Sequence, residues 1–499
     1  MQNLLVSSQI KSVDAYTIQN EPITSIDLME RAALAFVNVF MNKFLDKEAT
    51  VWVCCGQGNN GGDGLAIARL LRGNGYTKVK VFLANYAQQT SPDYLKNLER
   101  LKKEKSELPI LEDLQALKLR QNDIVIDAIL GSGLNKPLSG KYEKLAVLIN
   151  TSKSKVVAVD VPTGFKSEGE LDAIYNGVKA DLVISFQLPK INFFFPESIK
   201  AIREFEVVPI GLNESYIESL PSQWKLVTEQ FINKTIKPRA RFSHKGTYGH
   251  ALIFAGDTET MGAALLSVNA CLQAGVGLVS ACIPQSGLTA LNVSLPEAMY
   301  LDRENLSNTD LQKYQAIAIG SGLGIGETQE QLLKQLLSKN KPLVIDADAL
   351  NILSKHQELL LKIPAQSVLT PHMKEFDRLF GHHNNWWNRV ETAKKKAIEL
   401  ELIIVLKNHY TFICLPTGDI CINPTGNPAM AQGGMGDVLT GIITNFLAQG
   451  YNSSAAAILG VYLHGKAGDV LAENREIVTA SALAKSLPKV LKKINSEKN

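Results

Sequence analysis

Residues 50–64 read Thr-Val-Trp-Val-Cys-Cys-Gly-Gln-Gly-Asn-Asn-Gly-Gly-Asp-Gly, an apolar run that ends in a glycine-rich turn. The run 50–55 is short, rich in β-branched and aromatic residues, and apolar throughout, which describes a strand buried on both faces. Residues 64–73 then carry a helical pattern. Glycines between a strand and a helix let backbone N–H groups come close to a phosphate, and the helix start adds a positive field. Strand, glycine turn and helix form the opening unit of a parallel, doubly wound sheet. The turn also satisfies G-x-G-x-x-G. The acidic residue that this dinucleotide fingerprint places about 20 positions further on is missing, because that region reads KVKVFLANYAQ. An ordinary NAD-dependent dehydrogenase is therefore disfavoured. Asn59, Asn60 and Asp63 add amide and carboxylate groups that a pyrophosphate turn does not need, and these suit a ligand or a cation.

The same pattern extends outward in both directions. Upstream, residues 25–44 place Leu28, Met29, Ala32, Ala33, Phe36 and Phe40 on one helical face, with Ser25 as the N-cap. Burial in a domain core and an oligomer interface both fit that face. Downstream come the strand-like runs KVKVFLA, DIVIDAI, KVVAVDV and DLVISF, with helical stretches such as 93–104 between most of them. Two strand ends carry polar loops. One has Asp127 followed by Gly131, Ser132, Gly133, Leu134, Asn135, Lys136 and Pro137. The other has Asp160 and Thr163. Ligands bind outside the carboxyl ends of such strands, so three loops from three strands can converge on one pocket.

Residues 207–240 mix Pro, Asn and charge without a clear period and read as a junction. A second α/β run follows, with strands HALIFAG, GLVSACI, AIAIGSG, PLVIDAD, SVLTP and LIIVLK. TFICLP and DICIN form a hairpin around Thr417-Gly418. The economical organisation is two consecutive α/β domains, 1–215 and 225–495, the first a Rossmann-like doubly wound three-layer domain.

Composition sets the outer limits. Lys+Arg is 52 and Asp+Glu is 49, a net charge of +3, with 45% apolar and 20% charged residues. These values exclude a disordered chain, a collagen-like fibre and a strongly basic nucleic-acid binder. The six cysteines lie in apolar runs and form no CxxC pair, as expected of reduced, buried thiols. Residues 260–296 carry no charge, but Ser, Asn, Gln, Gly and Pro interrupt them, so a buried helix and strand fit better than a membrane span. With no basic and apolar leader at Met1, the expectation is a cytoplasmic protein without membrane or nucleic-acid partners.

The second half has its own signal at 427–439, Asn-Pro-Ala-Met-Ala-Gln-Gly-Gly-Met-Gly-Asp-Val-Leu. A glycine turn opens a helix from Val438 onward, with Asp437 in its first turn. Bare N–H groups at a helix start stabilise a transferring phosphoryl group, and a neighbouring Asp can take the proton of an attacking hydroxyl. No Lys follows the glycines, so this is not a Walker A loop. His382, His383 and His409 read as solvated loop histidines. The turn alone fits two activities: a kinase of a small alcohol with a regulatory N-terminal module, or a dehydration driven by nucleotide cleavage. A non-catalytic dinucleotide-binding module is a third reading.

Taken together, the motifs resemble known families. GQGNNGGDG, IDAILGSGLNKP and VDVPTGF look like the YjeF N-terminal domain, the NAD(P)H-hydrate epimerase, over roughly residues 1–210. The resemblance implies that Asn59, Asn60, Gly61, Gly62 and Asp63, with residues 131–137, hold the dinucleotide. It implies K+ on Asn60, Asp127 and Thr163, and Asp160 as the acid/base at the hydrated nicotinamide. The second half resembles ribokinase-like ADP/ATP-dependent NAD(P)H-hydrate dehydratases. The resemblance rests on HKGTYGH, MGAA, GSGLG, DADALN, TPH with Glu375, KNHYT and GGMGD, over about residues 230–495. It implies that Ala263, Gly322, His372 and Asp437 contact the hydrate, with Asp437 as catalytic base. Lys407, Asn408, His409, Tyr410, Thr411 and Gly436 would contact the adenine nucleotide, Lys407 as a mobile cation, with Mg2+ accompanying it. The expected donor is ADP, with ATP as the alternative, and the substrates are NADHX and NADPHX. Met373-Lys374 stands where Pro-Gly is expected after Thr-Pro-His, a departure expected to shift the loop of His372 and Glu375.

Overall fold

A computed structural model describes residues 1–103, 108–133, 137–304, 306 and 310–496. The chain folds into two compact units, Asn3–Ser222 and Gln223–Asn499 with Met1–Gln2.

The first unit holds a seven-stranded sheet in the order Ile110–Leu111, Val79–Leu83, Val51–Cys55, Ile124–Ala128, Lys155–Val159, Ala180–Phe186 and Ile202–Val208. Every neighbouring pair is parallel. The central strands are buried along their whole length, which explains why they read as continuous apolar runs. The chain leaves Val51–Cys55 in one direction and returns at Ile124–Ala128 on its other side. The topological switch point therefore lies between these two strands, beside the turn 56–64.

The helix Ser25–Lys43 buries Leu28, Met29, Ala32, Ala33, Phe36, Val37 and Phe40. Phe36, Val37 and Phe40 belong to the same apolar cluster as Val51, Val53, Leu65 and Ile126, so this face serves the unit's own core. Each such side chain contributes about 1.5–3 kcal/mol of burial free energy. The helix begins one residue earlier than its pattern suggested. Thr24, not Ser25, is the N-cap, and its hydroxyl accepts from the Asp27 N–H.

The helix after the turn spans Asn59–Gly73 and starts inside the glycine run. Gly64 packs against the strands: a Cβ there would lie 2.5 Å from the Ala128 Cβ and 2.8 Å from the Cys55 Sγ. The absent side chain lets the helix lie directly on the switch-point strands. The strand Ile202–Val208 and the helix Ser7–Asn20 had no counterpart in the sequence pattern, because both interleave polar and apolar residues.

In the second unit the parallel strands run Met299–Asp302, Leu278–Ile283, His250–Phe254, Ala316–Ile319, Leu343–Ile345, Val368–Leu369 and Ile403–Leu406. The antiparallel hairpin Thr411–Cys414 and Ile420–Asn423 extends this sheet, and Gly418 turns it at φ +89°. Residues 207–240, read as a junction without a clear period, contain the helices Glu214–Ser219 and Glu229–Thr235. The switch point of this sheet lies between His250–Phe254 and Ala316–Ile319. All six cysteines are buried and unpaired, and burial pushes the Cys282 and Cys421 thiols up to about 12. Among the described residues no helix is long and apolar enough to cross a membrane.

Candidate functional site

The first unit has a cavity of about 420 Å³ outside the carboxyl ends of its central strands. Gly58, Asn59, Asn60 and Asp63 line it from the glycine turn, and Gly131, Ser132 and Gly133 from the next strand's loop. Asp160 lines it from a third. Gly61 and Gly62 are buried and Pro137 is exposed, and none of the three is part of the cavity lining. Leu134, Asn135 and Lys136 lie outside the described residues.

Asp127 and Thr163 meet at the floor of these loops. The Thr163 N–H donates to one Asp127 oxygen at 2.7 Å, and the Thr163 hydroxyl donates to the other at 2.7 Å. Asp127 also accepts from the Ile129 N–H at 3.2 Å. Burial raises this carboxyl to about 6 even though those donors favour its charged form. Asn60 stands over the same loop, its Cβ 3.3 Å from where a Cβ on Gly131 would lie. Its buried Nδ2 has no hydrogen-bond partner among the described residues.

Asp160 adopts φ +63°, the left-handed region that non-glycine residues seldom enter. Its carboxylate accepts from the Phe186 N–H at 3.0 Å and the Ser185 hydroxyl at 3.2 Å. It also pairs with the Lys190 ammonium at 2.7 Å. Lys190 is only 5% exposed, so the pair is strongly desolvated. Lys190 and Asp14 both line the cavity, and sequence reasoning named neither. Lys190 sits in LPKINFFF, where a lone lysine carries no local signal, and Asp14 belongs to the unread helix Ser7–Asn20.

In the second unit the helix Met435–Ala448 starts three residues before Val438, with Gly434 as a left-handed N-cap at φ +86°. Asp437 thus lies within the first turn. Burial, followed by the charge of Asp346, raises its carboxyl to about 6. Ser321 and Lys407 pull it back in part.

Lys407 is tied down, which corrects the expectation of a mobile cation. Its ammonium pairs with Asp346 at 3.0 Å and faces Glu375 at 3.9 Å. Burial opposes the charge of Lys407, yet these two acids keep it above the usual lysine range. Burial likewise opposes ionisation of Asp346. Lys407, with the Thr370 and Thr440 hydroxyls, outweighs it and holds Asp346 below the usual carboxylate range. The Thr440 hydroxyl donates to Asp346 at 2.9 Å, joining the Asp437 helix to a strand end. A Cβ on Gly436 would sit 3.3 Å from the Lys407 Nζ, so the bare turn leaves the ammonium facing the Asp437 helix. Asp346→Ala strands that ammonium without its main partner. Breaking a buried pair costs about 3–5 kcal/mol, and guanidinium unfolding of the full chain should show the second unit's transition moved down accordingly.

Gly322 adopts φ +59°, and a Cβ there would lie 2.9 Å from the Ala263 Cβ. His372 is bridged to Lys407 across neighbouring strand ends. It caps the helix Met373–Phe380: its Nδ1 accepts from the Glu375 N–H at 3.1 Å, and Glu375 accepts from the His372 N–H at 2.8 Å. This reciprocal capping box stands with Met373-Lys374 in the first turn, so the departure from Pro-Gly leaves the cap intact.

A cavity of about 350 Å³ opens beside this network. Lys407, Asn408, His409, Thr411 and Gly436 line it, together with Asn423, Met430, Leu439 and His464. Tyr410 is not in its wall and packs edge-on against His409. Asp469 accepts from the Gly426 N–H and the Asn427 side chain, fixing the loop along one side. His383 is no solvated histidine. It is buried between Asp377 at 3.0 Å and Thr392 at 2.9 Å, whereas His382 is exposed.

Comparison with known proteins agrees across both units. The family model described as YjeF-related protein N-terminus matches residues 25–192, and that of NAD(P)H-hydrate dehydratase matches residues 251–489. The Bifunctional NAD(P)H-hydrate repair enzyme Nnr of Moorella thermoacetica is 35% identical over 99% of this chain and 97% of its own. The protein of the same name from Thermofilum pendens is 33% identical over 98% and 96%. A crystal structure of a ribokinase-like superfamily protein from Enterococcus faecalis is 30% identical with a TM-score of 0.51. It covers 55% of this chain and 98% of that one. The chain belongs to the family of bifunctional NAD(P)H-hydrate repair enzymes.

Proposed function

We propose that the first unit exchanges the R and S epimers of hydrated NADH and NADPH, and that the second dehydrates the S epimer at the expense of ADP. The observation that supports this most directly is Asp437 at the bare first turn of its helix, beside the Lys407–Asp346 pair and a nucleotide-sized cavity. Asp437 takes the proton of the C6 hydroxyl, and the freed oxygen attacks the terminal phosphoryl group of ADP, breaking its bridging P–O bond so that AMP leaves. Phosphate then leaves from C6 with the C–O electron pair as C5 gives its proton to water and the C5=C6 double bond forms. The N–H groups of the turn and the Lys407 charge stabilise the phosphoryl oxygens. Ala263, Gly322 and His372 surround the ring, and Asn408, His409 and Thr411 the nucleotide. In the first unit Asp160 handles the proton at C6, with Asn59, Asn60, Asp63 and residues 131–133 along the dinucleotide.

Two ions complete this reading. Asp127 is a fully buried carboxyl whose hydrogen-bond donors are all uncharged, a donor set suited to a monovalent cation with oxygen ligands. Asn60, Asp127 and Thr163 would hold K+ there, and K+ would supply positive charge beneath the glycine loops. Asp346 and Glu375 already serve Lys407, so Mg2+ would be held mainly by the nucleotide phosphates.

The test mixes both hydrate epimers of NADH with the chain and either ADP or ATP, and follows NADH absorbance and free phosphate. Full recovery of NADH with one phosphate per NADH, faster with ADP, is the expected result. A stable phosphorylated product would favour a kinase instead.

A further inference from the structure

Asp14 stands on the helix Ser7–Asn20, ahead of the residues matched by the N-terminal family model. It lines the first unit's cavity together with Asp63, Asp160, Lys11 and Lys190. These acids have unlike surroundings. Asp160 is held by an ammonium, a hydroxyl and a backbone N–H. Among the described residues no hydrogen bond or ion pair reaches the Asp14 carboxyl, although helix and cavity wall half-bury it. Asp160 thus sits against a desolvated ammonium at 2.7 Å, whereas Asp14 faces that carboxylate with no ion pair or hydrogen bond of its own among the described residues. Two carboxyl groups whose environments differ in this way divide acid and base roles.

We propose that Asp14 is a second catalytic residue of epimer exchange, giving the proton with which the C6 oxygen of the hydrated nicotinamide departs. This rests on the reading of the first unit as an epimerase. The step balances without a redox partner. The Asp14 O–H proton goes to the C6 hydroxyl, the C6–O bond breaks, and water leaves with its electron pair. The lone pair of the ring nitrogen forms a C6=N1 iminium. Water then adds to the opposite face and gives its proton to the Asp160 carboxylate. In the reverse direction the same protons retrace their path.

Two further observations support this assignment. Burial, followed by the neighbouring charge of Asp160, raises Asp14 to about 6, while Lys190 pulls the other way. An acid in that range still gives its proton readily near neutral pH. Asp63 also lines the cavity, but burial and three nearby acids hold it well above the usual carboxylate range.

The experiment uses the full chain and the purified S hydrate of NADH, without added nucleotide, and follows the appearance of the R epimer by chromatography. Asp14→Asn should slow exchange by about 100-fold, while Asp14→Glu, which keeps an acid at this position, should recover at least about a tenth of the wild-type rate. A loss of less than about tenfold in Asp14→Asn overturns the role of Asp14. An Asp14→Glu chain as inert as Asp14→Asn also overturns it, because the position is then structural. A wild-type chain that exchanges nothing overturns the epimerase reading beneath it instead.

Discussion

Asp437→Asn is expected to remove nucleotide-dependent recovery of NADH, with a loss of about 1,000-fold or more, while epimer exchange continues. A positioned general base contributes about 100- to 10,000-fold, and asparagine keeps the side chain's shape while losing the ability to take a proton. The wild-type pH profile carries the same information. Asp437 must be ionised to act, and its carboxyl lies at about 6. The dehydration rate should therefore fall with decreasing pH below about 6. Asp346 lies below the usual carboxylate range and stays ionised there, so it does not produce this limb. Stability should move the other way. A carboxyl raised from 3.8 to about 6 on folding loses stability as pH rises between those values, and the deficit persists at neutral pH. Each pKa unit is about 1.4 kcal/mol, so Asp437→Asn should gain roughly 1–3 kcal/mol at pH 7. An Asp437→Asn chain that still turns over, or whose thermal midpoint falls, would count against Asp437 as a base whose burial costs stability.

The parts of this site that are legible in the sequence are those encoded locally. Buried parallel strands announce themselves as apolar runs, and the glycine turns at 56–64 and 433–436 sit where the backbone must come close. Asp127, Asp160 and Asp437 stand out because each ends a strand or opens a helix in such a context. Lys190 and Asp14 do not, because they lie 30 and 146 residues along the chain from Asp160, the acid they face. Lys407 stands out, but its mobility does not follow from its position. A lysine after a strand gives no hint that Asp346, 61 residues earlier, holds it in place. His383 shows the same limit, since its burial depends on how Asp377 and Arg389 fold around it. Periodicity decides which face is buried, but pairing between distant polar groups follows from the tertiary fold alone.

Asp160→Asn should have the mirror-image effect. Asparagine is the substitution of choice because Asp160 sits at φ +63°, where Asn is tolerated and Ala adds strain. Its amide oxygen can still accept from the Phe186 N–H and the Ser185 hydroxyl. What disappears is the charge opposite Lys190 and the capacity to hold a proton. Epimer exchange should fall by about 100- to 10,000-fold. The consequence for repair is distinctive. Given a mixture of both epimers and excess ADP, the wild-type chain should consume all of it, because exchange keeps feeding the S form. The Asp160→Asn chain should show a fast phase of unchanged rate that ends once the S epimer is spent. The R epimer should then remain, and chromatography of the residue identifies it. Removing one partner of a buried pair also costs about 3–5 kcal/mol, so the first unit should unfold at lower denaturant while the fast phase persists. Two outcomes would break the assignment of two separate sites. One is complete consumption of the mixture at the wild-type rate. The other is loss of the fast phase in a chain whose second unit remains folded.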